Sequence, residues 1–324
     1  MRIIFVMILV TGCAGFIGSH LCERLLSDGQ KVVGLDNFDA FYPKSVKLKN
    51  MDGLFANPHF TFYEGDICDQ AIWKKLKVHP ITCVVHLAAR AGVLPSLANP
   101  GNYIETNING TYHLLEYMKK NEIRNLVFAS SSSVYGNNTK IPFQESDSVD
   151  HPISPYAFTK KSCELMIHSW YHLYKINAIC LRFFTVFGPR QRPDLAIRKF
   201  VTKIIQNEPI EMYGDGNTAR DYTYIDDIVD GIISSINYCC TKEEVYEIIN
   251  LGNHHPVTLQ NLISTIYLAL KKPEQVIKVP MKPGDVCFTY ADISKASSLL
   301  NYAPKISLES GLHNFIEWYQ SNDK

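Results

Sequence analysis

Residues 11–18 read TGCAGFIG, with Gly12, Gly15 and Gly18 in a G-x-x-G-x-x-G spacing, and they follow the apolar run IIFVMILV (3–10) with nothing in between. Such a trio has two readings. Glycines without a Cβ let a chain leaving a strand turn sharply into a helix, and they also let backbone N–H groups at that helix's N-terminus approach a pyrophosphate. The first reading needs only a tight turn; the second needs an acidic partner at the end of the next strand. Asp36 stands there, closing KVVGLD (31–36), eighteen residues past Gly18. A carboxylate in that position accepts hydrogen bonds from both hydroxyls of an adenosine ribose, and no arginine follows at once to take a 2′-phosphate. The combination favours NAD over NADP. Asp66 ends the next run, FTFYEGD (60–66), just before Ile67. It suits the adenine edge and equally the N-cap of a helix over DQAIWKKL (69–76).

Further short β-branched runs follow: TCVVHLAA (82–89), NLVFASS (125–131) and NAICLRFF (177–184). Segments of helical period separate them, at FIGSHLCERLLSDG (16–29), NYIETNINGTYHLLEYMKK (102–120) and YAFTKKSCELMIHSWYHLYK (156–175). Strands alternating with helices build βαβ units, hence a parallel sheet covered on both faces. The predicted fold is therefore α/β: a Rossmann-type doubly wound parallel sheet with a smaller C-terminal α/β lobe. Past about residue 187 the rhythm changes, with Pro and Gly in FGPRQRPD (187–194), YGDGN (213–217) and MKPGD (281–285). Residues 1–186 are expected to form the large domain, with 218–252 returning to it through a last strand in YEIINLG (246–252). Residues 187–217 and 253–324 are expected to form the smaller, substrate-binding lobe.

The 324 residues carry 32 basic and 32 acidic side chains, so no electrostatic footprint for nucleic acid or an anionic membrane is present. Small molecules or like subunits are the expected partners. Nine cysteines without a C-x-x-C pair suit neither a disulfide framework nor a zinc site, which favours a reducing, cytoplasmic setting. The histidines, His20 and the His254-His255 pair among them, lack ligand spacing and read as structural, and no metal is expected. The apolar N-terminus lacks a cleavage site and reads as a first strand. Met7 is a candidate alternative start, because MILVTG still makes a complete strand entry.

Tyr156 and Lys160 lie four apart in SPYAFTKK, on one face of a helix that begins at Pro155. An ammonium held near a phenol favours the phenolate and makes it a usable base, although such a pair also occurs on solvated helix faces. Here it follows a fifth strand ending in SSSSVYG (130–136), at the sheet edge where doubly wound folds bind ligands. TGCAGFIG, DNF (36–38), HLAA (86–89), SSSSVYG, YAFTK (156–160), RDYTYIDDI (220–228) and PGDV (283–286) together identify a resemblance across essentially the whole chain. The sequence resembles the nucleotide-sugar epimerase group of the extended short-chain dehydrogenases/reductases.

That resemblance implies NAD in the large lobe, a UDP-sugar in the cleft, and commonly a homodimer formed by two long helices, here 102–120 and 156–175. By motif position, Ser131 matches the proton-relaying hydroxyl, Tyr156 the base, and Lys160 the residue holding the nicotinamide ribose. Cofactor contacts would come from Gly12, Gly15, Phe16, Ile17, Gly18, Asp36, Asn37, Phe38, Asp66, Ile67, Leu87, Ala88 and Ala89. Asn107, in TNINGT, matches a helix-bending Asn near the active site. Arg220 matches an arginine on the diphosphate and Asp285 a residue near the uridine ribose; Lys282 is read as solvated.

Members of the family that dehydrate the sugar carry an Asp-Glu pair directly after the catalytic hydroxyl, and the decarboxylases keep a Glu. Ser132 and Ser133 stand there instead. Small neutral residues suit a simple cycle in which Tyr156 takes the 4-hydroxyl proton, C4 is oxidised, and the 4-keto sugar turns over and is reduced on its other face. Thr185 with Arg192, Pro193 and Asp194 is similar to the subgroup acting on UDP-glucuronate, as are DNFDAFYPKSVK (36–47) and HLAARAGV (86–93). A 4-keto-glucuronate readily loses CO₂, and hydroxyls of Ser133 and Thr185 with the Arg192 guanidinium would hold its carboxylate away from that path. Arg192 equally fits an ion pair with Asp194 at a helix start. Arg190 and Gln191 depart from the Trp-Gly pair frequent in that subgroup, so UDP-glucose and UDP-N-acetylglucosamine stay open as substrates. Decarboxylation and an inactive NAD-binding regulator are the remaining readings; a complete Ser131, Tyr156 and Lys160 set disfavours the last.

Overall fold

The computed structural model describes residues 7–280 and 287–322. The apolar MILVT forms strand β1 (Met7–Thr11), buried from Ile8 onward, and TGCAGFIG is its exit into helix α1 (Phe16–Ser27). The alternation then runs through β2 (Lys31–Asp36), α2 (Lys44–Met51), β3 (Phe60–Glu64), α3 (Gln70–Leu76) and β4 (Cys83–His86). After β4 come the short helices α4 (Val93–Ala98) and α5 (Pro100–Tyr103), then α6 (Gly110–Lys120), β5 (Asn125–Ser131), α7 (Pro155–Tyr174) and β6 (Asn177–Phe183). The C-terminal part contains β7 (Thr185–Phe187), α8 (Ala196–Ile205), β8 (Ile210–Tyr213), β9 (Ala219–Tyr224), α9 (Ile225–Thr241) and β10 (Tyr246–Leu251). It closes with β11 (Pro256–Thr258), α10 (Leu259–Leu270), β12 (Val276–Val279), α11 (Ser294–Leu300) and α12 (Leu308–Asn322).

Seven strands pair in the order β10-β6-β5-β4-β1-β2-β3. Every pairing in this sheet is parallel. Strands buried on both faces read as continuous apolar runs, and one apolar cluster lies on each face here. Chain order reverses between β1 and β4, so the mouth beyond their C-terminal ends is the crevice where such sheets take ligands. β2 and β5 match the expected runs, whereas the third strand stops early at Glu64 and the fourth, starting at Cys83, stops at His86, as the chain leaves the sheet toward that mouth.

The segment expected as one helix over 102–120 is broken. A π-helical turn, Ile104–Asn109, joins α5 to α6. Around this turn the Asn107 carbonyl accepts from the Thr111 hydroxyl (2.5 Å) and the Cys163 thiol (3.1 Å). Outside the main sheet, β11-β9-β7 make a three-stranded sheet and β12-β8 a two-stranded one. α9 packs on α1 and on β5 and β6, and β10 lies beside β6.

Candidate active site

Gly12 sits at φ +74°, and a Cβ there would come within 2.8 Å of the Ala88 nitrogen. At Gly18 it would come within 2.1 Å of the Gly12 carbonyl oxygen. The glycines thus let three backbone segments pack against one another, as the tight-turn reading requires. The same loop also opens onto a cleft of about 400 Å³ lined by Gly12, Gly15, Phe16, Ile17 and Gly18. α1 begins at Gly15 with no side-chain cap, which leaves its first amides for something other than the protein's own side chains.

Asp36 lines the cleft and is held in place from behind. Its carboxylate accepts from the amides of Ala14 (3.1 Å) and Phe38 (2.8 Å), with Lys47 Nζ at 3.8 Å. Burial raises its pKa, opposed by the Lys47 charge and then by the two amides. Asn37, Ile67, Leu87, Ala88 and Ala89 share the wall. Thr11 Oγ1 accepts from Ala88 N (3.2 Å) and is hydrogen-bonded to His86, fixing the β4 exit.

Three residues expected at the cofactor lie off this wall. Phe38, at φ +50°, turns into the core against Phe62. Asp66 accepts from Asn37 Nδ2 and from Cys68 N, each at 2.8 Å, and so holds the residue that faces the cleft. Asp69, not Asp66, caps α3. Asn107 is buried and spans two elements: its side chain exchanges hydrogen bonds with the backbone of Arg90 (2.8 and 3.0 Å) and donates to Thr159 Oγ1 (3.0 Å). It acts on the cleft through Arg90.

Ser131 ends β5 and caps the short helical turn Ser132–Tyr135, accepting from Ser133 N (3.2 Å) and donating to Ser133 Oγ (3.1 Å). Ser154 caps α7 through Ala157 N, with Pro155 at its first position. Tyr156 and Lys160 then follow one turn apart, both buried, both on the cleft wall with Ser131, Ser132 and Ser133. Lys160 Nζ donates to the Ala129 carbonyl (2.7 Å) and lies over the Phe128 ring. Burial lowers its pKa to about 8.

The expectation that Lys160 lowers the Tyr156 pKa is not what this arrangement gives. Burial raises the phenol's pKa, and the groups pulling it down are the Ser131 hydroxyl and the Arg192 guanidinium. Lys160 spends its charge on the Ala129 carbonyl and the Phe128 face instead.

The far wall is built by Phe183, Phe184, Thr185, Val186, Arg192 and Leu195. Arg192 makes the expected ion pair, bidentate to Asp194 (2.9 and 2.7 Å), and it also lines the cleft, with its guanidinium 5.0 Å from the Phe41 ring centroid. The departure at 190–191 has a local explanation. Arg190, at φ +64°, pairs with Glu23 (2.6 Å), while Gln191 is buried and donates to the Val186 carbonyl (3.1 Å). His20 Nε2 donates to the Pro189 carbonyl (2.9 Å), so this loop is tied to α1, and burial holds its pKa near 4. Arg220, on β9, lies off the cleft wall, with Nη1 donating to the Ala219 carbonyl. Asp285 and Lys282 lie outside the described residues.

Sequence reasoning missed Asp39, Phe41, Tyr42 and Lys47, and it missed Arg90, which pairs with Asp39 across the cleft mouth. Their signal lies in the runs 39–47 and 86–93, which the sequence offers only as a subgroup likeness. No group of His, Cys, Asp or Glu suited to a metal occurs among the described residues.

The family model described as GDP-mannose 4,6 dehydratase matches residues 9–315. A UDP-glucuronate 4-epimerase of Thermodesulfobacterium geofontis is 43% identical over 97% of this chain and 96% of its own. The crystal structure of UDP-glucuronic acid 4-epimerase from Bacillus cereus, in complex with UDP-glucuronic acid and NAD, superposes with a TM-score of 0.91 at 37% identity. It covers 97% of this chain and 99% of the other. UDP-glucose 4-epimerase from Thermotoga maritima, with UDP-glucose, gives 0.89 at 31% identity, covering 98% and 100%.

Proposed function

The chain belongs to the GDP-mannose 4,6-dehydratase family of extended short-chain dehydrogenases/reductases, and on that premise we propose that it inverts C4 of UDP-glucuronate to give UDP-galacturonate, with NAD bound in the cleft. One observation carries the reading: a single cleft unites the glycine loop, Asp36, the Ser131, Tyr156 and Lys160 set, and the half-buried Arg192 on the opposite wall. The protein's residues fit the dinucleotide. The glycine loop opening onto the cleft and the uncapped start of α1 are what a pyrophosphate needs, and Asp36 is fixed for a ribose.

NAD supplies reversible two-electron oxidation of a carbinol carbon. The remaining work falls to side chains. Tyr156 holds the proton of the sugar's 4-hydroxyl and returns it at the end of the cycle, with Ser131 as hydrogen-bond partner to the same oxygen. Lys160 places a positive charge beneath this end of the cleft. Ser132 and Ser133 offer no acid or base to a neighbouring carbon, so the sugar is neither dehydrated nor decarboxylated by them. Arg192, with Thr185 and Ser133 on the same cleft lining, binds the carboxylate of the intermediate and keeps its C–CO₂ bond out of line with the carbonyl π-system. Arg220, on β9 beyond the lined part of the cleft, is the residue proposed for the diphosphate.

Assay of the purified protein on UDP-glucuronate, UDP-glucose and UDP-N-acetylglucosamine tests the sugar. Fast interconversion of UDP-glucuronate and UDP-galacturonate without a pentose product is expected; brisk turnover of UDP-glucose with none of UDP-glucuronate would overturn it.

The same reading includes a homodimer, a cytoplasmic setting and a two-lobed chain. Tyr112 on α6, edge-on to Trp170, and Leu165 and Leu173 on α7 leave apolar surface exposed where a second copy would cover it. All nine cysteines are free, and no described helix is long and apolar enough to cross a membrane. The division into 1–186 with 218–252, against 187–217 with 253–324, is supported by β10 beside β6 and by α9 on the main sheet. β9 departs from it by pairing with β7 and β11.

A further inference from the structure

Beneath the cleft floor lies a charged group that the reaction itself does not use. Glu164 and Arg182 are each 1% exposed and form a bidentate pair, with Nε to Oε1 and Nη2 to Oε2 both at 2.9 Å. Two isolated charges so deep are costly to bury, and apolar residues of similar size would pack there at no loss of stability, so the pair calls for a role beyond stability. Its connections supply one. Glu164 stands one helical turn after Lys160 on α7, and its Oε1 also accepts from Ser130 Oγ (2.6 Å), the residue before Ser131 on β5. Arg182, on β6, lies in register between Ser130 on β5 and Asn250 on β10. Its guanidinium covers the Tyr135 ring at 4.8 Å, and Tyr135 belongs to the helical turn that carries Ser132 and Ser133. Tyr135 in turn donates to Asn250 Oδ1 (2.7 Å), whose Nδ2 donates to the carbonyls of Phe143 and Asp292.

Ser131 and the Tyr156 and Lys160 pair reach the cleft on two separate elements, β5 and α7, and the hydroxyl and the phenol must meet one substrate oxygen. A hydrophobic contact between the elements would let them slide; a fork of charge-assisted hydrogen bonds fixes distance and angle at once. We propose that Glu164, clamped to Arg182 and Ser130, is the positioning residue that registers the α7 face carrying Tyr156 and Lys160 against the Ser131 turn. The proposal rests on the assignment of Ser131, Tyr156 and Lys160 to the chemistry.

The charge also reaches Lys160. That ammonium is faced by the Ala129 carbonyl and the Phe128 ring from β5, His86 from β4, Cys180 from β6, and Cys163 and Glu164 from its own helix. Glu164 raises the Lys160 pKa against the larger effect of burial, so removing the carboxylate moves the loss of the ammonium to lower pH.

The test is the double variant Glu164→Leu/Arg182→Met, which removes both charges together, assayed as NAD-loaded enzyme on whichever UDP-hexose the wild type turns over fastest. The sugar assignment is thereby judged on the wild type and the positioning role on the ratio of variant to wild type. Expected are a melting temperature and an NAD affinity near wild type, KM changed little, kcat lower by roughly tenfold to a hundredfold, and an alkaline limb of the pH profile displaced toward acid. A folded double variant with unchanged kcat and pH profile overturns the proposal. If the double variant does not fold, Ser130→Ala removes one hydrogen bond and leaves the ion pair whole. A drop in kcat by about threefold or more at constant KM then supports the role, and an unchanged kcat refutes it.

Discussion

The two halves of the cleft are built by different means. The cofactor half is made by backbone: three glycines without Cβ atoms, the bare first turn of α1, and one carboxylate clasped by two amides. The other half, to which the proposed sugar grip is assigned, is made by long side chains that travel far to meet. Arg90 crosses to Asp39, and Arg192, already forked onto Asp194, lies over Phe41. A site made of backbone resists change and accepts one shape of ligand; a site made of side chains is retuned by single substitutions. A shared oxidation step can therefore serve different sugars on one scaffold.

This contrast gives an ordered set of breaks. Gly18→Ala strikes the cofactor half where nothing can yield, since its Cβ would lie 2.1 Å from a backbone oxygen. The expected cost is about 3 kcal/mol with a fall in melting temperature of roughly 6 °C or more, and protein that purifies without NAD. Retention of NAD, read by absorbance after denaturation, would show that the loop tolerates a side chain. Tyr156→Phe comes next, at the junction of the halves. It keeps the ring in its buried slot and removes the hydroxyl, so kcat falls by about a thousandfold while NAD stays bound; unaltered turnover would remove the phenol from the proton path. Arg192→Leu acts mainly on the sugar half. Loss of a charge-assisted contact to a carboxylate is worth about 2 kcal/mol, a roughly thirtyfold drop in kcat/KM for UDP-glucuronate, and a pentose product appears as CO₂ escapes. Arg192 also holds the Tyr156 pKa down, so turnover of UDP-glucose falls too, but by less. Equal loss on both sugars would mean that the arginine acts through Tyr156 or Asp194 and not on the carboxylate.

Legibility follows the same division. The glycine loop and Asp36 lie within 25 residues of each other, at strand ends, where spacing alone carries their meaning. The order of strands and helices was legible for the same reason. Contacts between Arg90 and Asp39, 51 residues apart, or between Arg192 and Phe41, have no spacing to read. The resemblance implies a bend at Asn107, but its form, a π turn at Ile104–Asn109, is not legible because the periodicity of 102–120 is that of one helix. What interrupts it is tertiary: Asn107 bonds Arg90 and Thr159, and its carbonyl is shared with Thr111 and Cys163. The four-residue spacing of Tyr156 and Lys160 does not give the phenol's pKa, since spacing gives proximity of backbones and not the direction in which an ammonium points. Lys160 turns to Ala129, and the cation acting on Tyr156 comes from residue 192.

The smallest expected effect probes the seam between the halves. Phe41 belongs to the β2–α2 segment, whose beginning is Asp36 in the cofactor half, yet its ring lies against the Arg192 guanidinium in the sugar half. Leucine at position 41 keeps the apolar bulk and removes the π face, at a cost of about 1 kcal/mol for a partly exposed cation–π contact. Asp194 still holds the arginine by its fork, so the guanidinium tilts rather than leaves. Phe41→Leu is therefore expected to raise KM for UDP-glucuronate by about fivefold, with kcat, NAD content and the kinetics on UDP-glucose within about twofold of wild type. A fall in NAD content instead would place Phe41 with the cofactor half, and the seam would lie farther along the segment, at Tyr42 or Lys47.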